Sequence, residues 1–394
     1  MIKLKSVINN EATDDKTLIS KLAEVAGCGK PAISKFKNDE GKEFKKFFGL
    51  VRMVKLLASD YRQDEFDLMI DYSKHLDVNS QSARRMLEYL DSNNLQAAKE
   101  DLIERMLSSK NEESKLYASI YNTDNMVSKG ELNPFEALLT YKNLNVNTVE
   151  LNVLVNIFST YIYLDQVIYD QAFNLINDVI NVIPTIEIED KDDNYMKNML
   201  LGRALLLKAE YHSRKKQTNE AVESCLRVLN EIDHDSKKAW AYLHLANSIS
   251  LTDYEQSLNY LENGLSLNGV HEKVVVNLKR SHNFLNNLWN KEAKFINHES
   301  KATSDIHEVA FQYINKNETE AAINLLDSID KDKCLYNELG FHYYLRGLIT
   351  NNIEDFASSI ENFNESGDVY FKQLPVMKLS QLNVDQSIIR LLAK

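Results

Sequence analysis

The chain is 394 residues long, 44% hydrophobic and 26% charged, with a formal net charge of −12. That length accommodates two or three domains with ample apolar material for a core. Eleven glycines and four prolines are too few for an all-β or α/β chain, which needs turn residues roughly every ten positions, so the expected fold class is all-α.

No apolar run approaches the roughly 18 residues of a membrane span, and the opening MIKLKSVINNEATDD turns polar too early for a signal peptide. Cys28, Cys225 and Cys334 are widely separated and form no C-x-x-C pair. They suit reduced thiols in a cytoplasm and supply no zinc site, so neither metal nor cofactor is expected. Charge is unevenly spread. Residues 1–62 carry 13 Lys/Arg against 8 Asp/Glu, an excess of five, which leaves −17 on the remainder. A small basic head on an acidic body is the asymmetry of a protein whose head alone meets phosphates.

The first informative stretch is LISKLAEVAGCGKPAISKF, Leu18 to Phe36. Leu18, Leu22 and Val25 recur at helical spacing, and Ala23 and Ala26 leave room for a crossing helix. Gly27 suits a helix end needing positive φ, and Pro31 suits the first turn of the next helix. Ile33 and Phe36 give that second helix an inward face. Small residue, turn glycine and apolar anchor at these intervals form a helix-turn-helix pattern. Its outward positions are Lys30, Ala32, Ser34, Lys35 and Lys37. The lysines can neutralise phosphates, and Ala32 and Ser34 are short enough to approach base edges. A plain helical hairpin with a solvated lysine face has the same pattern; the local positive charge favours the DNA-binding reading.

Phe44, Phe47, Phe48, Val51, Val54 and Leu57 form one stripe, expected to close the small domain's core. A boundary is expected near Ser59–Asp64. An amphipathic helical pair follows, with Ser80 as an N-cap. From residue 65 onward the chain alternates helix and short polar break. TNEAVESCLRVL, DYEQSLNYLENGL, TEAAINLLDSI and EDFASSIENFNES place small residues at Ala221, Ser257, Ala322 and Ala357. The first and last intervals are close to the tetratricopeptide period of about 34 residues. The middle interval leaves room for one degenerate unit, FLNNLWNKEAKFINHES. The expectation is a right-handed tetratricopeptide-like solenoid whose concave face suits an extended peptide. Residues 1–60 would be the helix-turn-helix domain, 61–376 the solenoid and 377–394 a capping helix. Ile388, Ile389, Leu391 and Leu392 make that last helix apolar, and the end of a solenoid needs a cap or partner, so a dimer contact is expected there.

Groove candidates are polar residues in repeat helices. Asn247 sits between apolar neighbours, and Asn286–Asn287 lie in FLNNLW. Glu210, Glu308 and Asp368 could each hold a ligand arginine, although a solvated helix face is the better account of any single acid here, and Arg84 could hold a carboxylate. For Arg84 an intramolecular ion pair is an equally good account. Catalytic signatures are absent: no Gly-rich phosphate loop and no His-Glu-x-x-His occur. His342, in GFHYYLRG, reads as core.

Several long stretches taken in order, LDVNSQSARRMLEY, SKGELNPFEAL, FLNNLWNKEAKFIN, VAFQYINKNETEAAINLL and LGFHYYLRGLITNNIEDF, together with the helix-turn-helix, resemble the arbitrium receptor AimR family of temperate phages of bacilli. The resemblance implies a homodimeric, non-enzymatic transcription factor. It would bind double-stranded operator DNA and activate a small negative regulator of lysogeny, and a secreted hexapeptide would switch this off. It matches Arg84, Asn247, Phe284, Glu308, Asp368 and Tyr370 to groove positions of the family. Glu210, Arg214 and His307 depart from the residues family members can carry there, as in a receptor tuned to a different peptide. The other function considered is a peptide-controlled anti-activator or phosphatase-type solenoid acting on a response regulator.

Overall fold

The structure is a computed structural model and describes residues 1–39, 41–187 and 194–392. Among these residues it has 22 α-helices, two single-turn 3-10 segments and no strand, so the fold class is all-α. The helices are α1 Ile2–Asp14, α2 Leu18–Val25, α3 Lys30–Asn38, α4 Phe47–Tyr61, α5 Glu65–Ser73, α6 Gln81–Ser92, α7 Gln96–Leu107, α8 Glu112–Ser128, α9 Pro134–Asn143, α10 Val149–Asp165 and α11 Tyr169–Val182. They continue as α12 Tyr195–Arg214, α13 Thr218–Glu231, α14 Asp235–Ile249, α15 Tyr254–Leu265, α16 Glu272–Leu288, α17 Thr303–Asn315, α18 Thr319–Asp327, α19 Tyr336–Thr350, α20 Ile353–Glu365, α21 Gln373–Gln381 and α22 Gln386–Leu392. The chain divides into two compact units. One comprises Met1–Ile162, Asn174–Ala204 and Ile232–His234, the other Tyr163–Phe173, Leu205–Glu231 and Asp235–Lys394.

In the first unit, the small-residue pattern is realised as α2, turn, α3. Gly27 has φ +60°, and the Cys28 N–H returns to the Ala23 carbonyl at 2.9 Å, closing α2 as a left-handed cap does. Pro31 lies in the first turn of α3. Ile33 and Phe36 are buried, and the Phe36 ring meets Phe44 edge-on at 5.3 Å. The crossing partner of Ala26 is Gly49 of α4: a Cβ there would stand 2.7 Å from the Ala26 carbonyl oxygen. Asp15, between α1 and α2, accepts from the Thr17 hydroxyl at 2.6 Å and from the Tyr61 hydroxyl at 2.5 Å. With Lys21 these bonds hold its carboxyl well below the usual range and tie α4 to the α1–α2 junction.

Residue 60 is not a break in packing. The apolar stripe of α4 is buried as expected, but Phe47 and Phe48 also lie against Tyr195 of α12, with ring centroids at 4.9 and 5.9 Å. The stripe therefore packs against α12 within the first unit as well as closing the small helix-turn-helix core. Beyond it, Ser80 caps α6 by accepting from the Ala83 N–H at 3.2 Å. Arg203 of α12 donates to both oxygens of Glu88 at 2.9 and 3.1 Å and pairs with Asp91. Asp91 also takes Lys99 at 2.8 Å, and Glu88 takes the Tyr121 hydroxyl at 2.7 Å. A buried charge persists when every partner is supplied, and this network joins α6, α7, α8 and α12.

In the second unit, helix pairs follow one another: α14 with α15, α17 with α18, α19 with α20. Ala221, Ser257 and Ala322 sit buried in the second helices. Ser257 additionally donates to the Ala246 carbonyl at 2.9 Å. Two repeat expectations need correction. Ala357 is only half-buried. The close crossing of α19 and α20 is instead made by Ser359, which donates to the Gly340 carbonyl at 2.7 Å, and by Gly340 and Gly347 under the Phe363 and Phe356 rings. The degenerate unit FLNNLWNKEAKFINHES does not supply a second helix. α16 ends at Leu288, Asn290 turns left-handed at φ 52°, and residues 289–302 form a loop. That loop is held by the Trp289 indole N–H on the Ser250 carbonyl at 2.8 Å and the Phe295 N–H on the Asn283 side-chain oxygen at 2.9 Å. Among the described residues, five asparagines serve this turning role. Asn94, Asn290, Asn317, Asn351 and Asn383 all have positive φ, a conformation asparagine tolerates better than most residues.

Candidate functional site

In the second unit a cavity of about 280 Å³ opens among α14, α16, α17 and α19. Helical periodicity builds it. On α16 the lining residues are Asn277, Arg280, Ser281 and Phe284, and on α17 they are Ser304, His307, Glu308 and Phe311. Both sets follow the i, i+3, i+4, i+7 spacing of one helix face. On α19 the series runs from Asn337 and Glu338 to Phe341, Tyr344 and Leu345. Each helix thus contributes polar groups at one end of its stripe and an aromatic ring at the other. The rings touch: Phe284 meets Phe341 and Phe371 edge-on, each at 5.4 Å. Asn247 and Leu243 of α14 complete the wall.

The polar end is electrostatically organised. Arg280 donates in a two-pronged fashion to Asp305, both bonds 2.7 Å long, and Ser300 adds a bond to the same carboxylate at 2.6 Å. Arg280 and Asp305 hold each other in their charged forms. Glu308 has no such cation. Its Oε2 accepts from the Asn287 amide at 2.8 Å, only 8% of its surface is exposed, and burial pushes its carboxyl up to about 8. An acid in this state ionises when a cation arrives. His307, 5% exposed, and His342, 1% exposed, face each other with ring centroids 5.9 Å apart. Burial, with His342 nearby, pushes His307 down to about 3, and burial pushes His342 down to about 4. Both are therefore neutral near neutral pH, and His307 Nε2 and both ring nitrogens of His342 have no hydrogen-bond partner.

Of the nine groove residues expected from sequence, Asn247, Phe284, His307 and Glu308 line this cavity. The other five do not. Arg84 belongs to the first unit, where it pairs with Glu113 in a polar pocket with Arg85 and Glu150; the intramolecular ion pair is the arrangement found. Glu210 and Arg214, one helical turn apart, pair with each other at 2.5 Å. Burial works against the Arg214 charge, but Glu210, Tyr169 and Asp368 raise its pKa overall. Asp368 accepts from the Phe371 N–H at 2.9 Å, and burial raises its carboxyl against the pull of that bond and of Arg214. Tyr370 accepts from the Leu251 N–H at 3.0 Å, while its neighbour Phe371 faces the cavity. Residue-by-residue reading missed Arg280, Phe341, Tyr344 and Phe371. The repeated polar-to-phenylalanine stripe in N-x-x-R-S-x-x-F and S-x-x-H-E-x-x-F was the signal for Arg280, and no comparable local pattern marks Phe371.

At the other candidate surface, Lys30, Ala32 and Lys35 of α3 are exposed, and Ser34 and Lys37 are half-buried. Lys37 reaches Asn9 of α1 at 3.0 Å. Sequence reasoning missed Lys5. It is buried, its ammonium lies 4.7 Å from the Phe36 ring centre, and it donates to the carbonyls of Asp39 and of Lys42, the latter at 2.9 Å. The end of α3 is thereby anchored to α1. Of the apolar C-terminal residues, Ile389 is buried and Leu392 packs on the same unit's core, whereas Ile388 and Leu391 are 48% and 71% exposed.

Among the described residues, no helix is long and apolar enough to cross a membrane, and no group of three or more His, Cys, Asp or Glu could hold a metal ion. The chain is 31% identical over 391 residues to the AimR transcriptional regulator of Bacillus phage SPbeta, covering 99% of both chains. It is 28% identical to the AimR transcriptional regulator of Bacillus phage phi3T over 98% of this chain and all of that one. Among solved structures it resembles selenomethionine phAimR, with a TM-score of 0.76 and 26% identity over 99% of this chain and 100% of that one. It also resembles phAimR with ligand, with a TM-score of 0.74 and 26% identity over 87% and 99%. The family described as AimR transcriptional regulator-like matches residues 65–381. The chain therefore belongs to the AimR family of transcriptional regulators, which are not enzymes.

Proposed function

We propose that this regulator is switched by a short peptide held in the α14–α19 cavity, and that α3 is its DNA-reading helix. The observation that carries the peptide reading is the cavity's two-ended lining. One end has mutually packed phenylalanines for an apolar or aliphatic side chain, and the other has amides, the neutral His307 and the Glu308 carboxyl. Such a lining satisfies an extended peptide's backbone with side-chain amides and takes one cationic side chain on the acid. The existence of a ligand-bound phAimR among its structural neighbours supports a ligand here. Glu210, Arg214, Asp368 and Tyr370 belong to the same unit and, through the Asp368–Phe371 bond, would extend the site.

In this reading the protein acts as a homodimer. Two copies of α3, through Lys30, Ala32, Ser34, Lys35 and Lys37, engage two operator half-sites, whose spacing selects among dimer shapes. The exposed Ile388 and Leu391 of α22 contribute to the contact between copies, with Ile389 and Leu392 supporting them from the core. Without peptide the dimer activates a small negative regulator of lysogeny; a bound hexapeptide ends that activation and lysogeny follows. To move a two-state protein from 1:99 to 99:1 the peptide must favour one state by about 5.5 kcal/mol. A set of amide bonds with one charge-assisted pair is of that order. A thermal-shift screen of hexapeptides encoded immediately downstream of the gene tests the reading. One peptide should raise the melting temperature of the wild type, and the Phe284→Ala variant should lose that response. If no such peptide stabilises the protein, the peptide reading fails.

A further inference from the structure

The basic face of α3 continues past the end of the helix. Where α3 gives way to the segment leading into α4, a cavity of about 240 Å³ is lined by Lys35 from the helix and by Lys42, Lys45 and Lys46 from the segment. Phe36 and Phe44 form its apolar wall, and Ala32 lies on its edge toward the exposed face of α3. The Lys35 and Lys42 ammonium groups come within hydrogen-bonding reach of each other, and Lys45 is close enough to act on Lys42 as well. Lys42 consequently holds its proton less firmly than a free lysine, chiefly because of Lys35.

An ammonium group donates only, so two of them facing one another leave donors unmet, and their like charges repel. Among the described residues, the acids nearby do not resolve this. Asp39 eases Lys42 without reversing its shift. Glu43 lines the same cavity, but it accepts from the Asp77 N–H at 2.6 Å, and burial raises its carboxyl. Lys46 donates to the Gly27 carbonyl at 3.0 Å, which ties the segment to the helix-turn-helix turn. A compact anion with several acceptor oxygens is the chemistry that would complement Lys35, Lys42 and Lys45.

We propose that this cavity seats a backbone phosphate of duplex DNA, fixing α3 in register beside the bases that Ala32 approaches. The assignment rests on the reading of α3 as the DNA-reading helix and adds Lys42 and Lys45, which lie outside that helix, to the interface.

The test uses the full-length protein and a random-sequence duplex of roughly 30 base pairs, followed by fluorescence anisotropy across a salt series, where phosphate contacts set the slope. The double variant Lys42→Ala/Lys45→Ala should show a slope shallower by about one contact, so that its affinity falls about 3-fold less than the wild type's between about 50 and 200 mM salt. Lys42→Arg/Lys45→Arg, which keeps charge and donors, should retain the wild-type slope. If the alanine variant keeps the wild-type slope while Lys30→Ala lowers it, the phosphate seat is refuted and the α3 reading stands. If neither variant changes the slope, both fall. Inorganic phosphate at constant ionic strength is the second arm. Thermal stabilisation of the wild type by phosphate, with no slope difference between wild type and alanine variant, would assign the cavity to a free anion and overturn the proposal.

Discussion

Replacing Glu308 by glutamine should change how stability depends on pH more than it changes stability itself. Glutamine keeps the shape and can still bond Asn287, but it cannot ionise. In the folded wild type burial raises the Glu308 carboxyl to about 8, whereas in the unfolded chain it titrates at about 4.3. Between those values the folded state holds a proton that the unfolded state has released. Stability contributed by the group is therefore fully present below the unfolded value and is lost as pH rises toward the folded one. The slope is about 1.4 kcal/mol per pH unit. From about pH 5.5 to about pH 7.5 the wild type should lose roughly 3 kcal/mol relative to Glu308→Gln. The neighbouring His307 and His342 titrate at about 3 and about 4, below this window, and the Arg280–Asp305 pair stays ionised through it. Urea unfolding of both proteins at several pH values in that range reads the difference directly. Parallel pH profiles would show that Glu308 is already ionised in the folded protein, and the cavity's polar end would then be anionic before any ligand arrives.

Three further perturbations address the framework. Gly49→Ala should destabilise the protein by about 1–3 kcal/mol despite alanine's better helix propensity, because its Cβ would meet the Ala26 carbonyl oxygen at 2.7 Å; denaturant unfolding checks this, and a stabilised variant would refute the close α2–α4 crossing. Lys5→Met should cost about 1–3 kcal/mol by leaving the Asp39 and Lys42 carbonyls short of a donor. Hydrogen exchange should show the loss concentrated in α1 and α3. Ile388→Glu with Leu391→Glu, both on the exposed side of α22, should shift the protein toward monomer in sedimentation velocity while leaving its helical circular dichroism intact. An unchanged oligomeric state would remove α22 from the contact between copies.

The helix-turn-helix was legible because its constraints are local. A turn glycine, a proline in the first helical turn and two inward residues three apart each state a backbone or packing requirement within twenty residues, and Gly27, Pro31, Ile33 and Phe36 meet them in the structure. The family resemblance correctly pointed to the chain's membership. Four cavity residues were also accessible: Asn247 as a polar residue between apolar neighbours, Glu308 as a candidate groove acid, and Phe284 and His307 only through the family resemblance. Less was legible where the partner is distant in sequence. Nothing near Arg84 announces Glu113, and nothing in the α4 stripe announces Tyr195, more than a hundred residues away. The repeat period misled at 289–302 because apolar residues at helical spacing occur there, yet Asn290 takes the left-handed conformation and Trp289 and Phe295 are held by bonds to other segments. At Ala357 the small residue was correctly sought but two positions early. A serine that can donate to a neighbouring carbonyl serves a close crossing as well as alanine does.

In the proposed function, peptide capture in the α14–α19 cavity controls DNA binding by the N-terminal helices. It is tested most directly by measuring duplex binding of the full-length protein, with the region upstream of its own gene, as a stabilising hexapeptide is titrated in. Peptide should change wild-type binding, and Phe284→Ala should bind the duplex normally but no longer respond. A peptide response that survives the loss of Phe284, or duplex binding indifferent to a peptide that demonstrably binds, would contradict it.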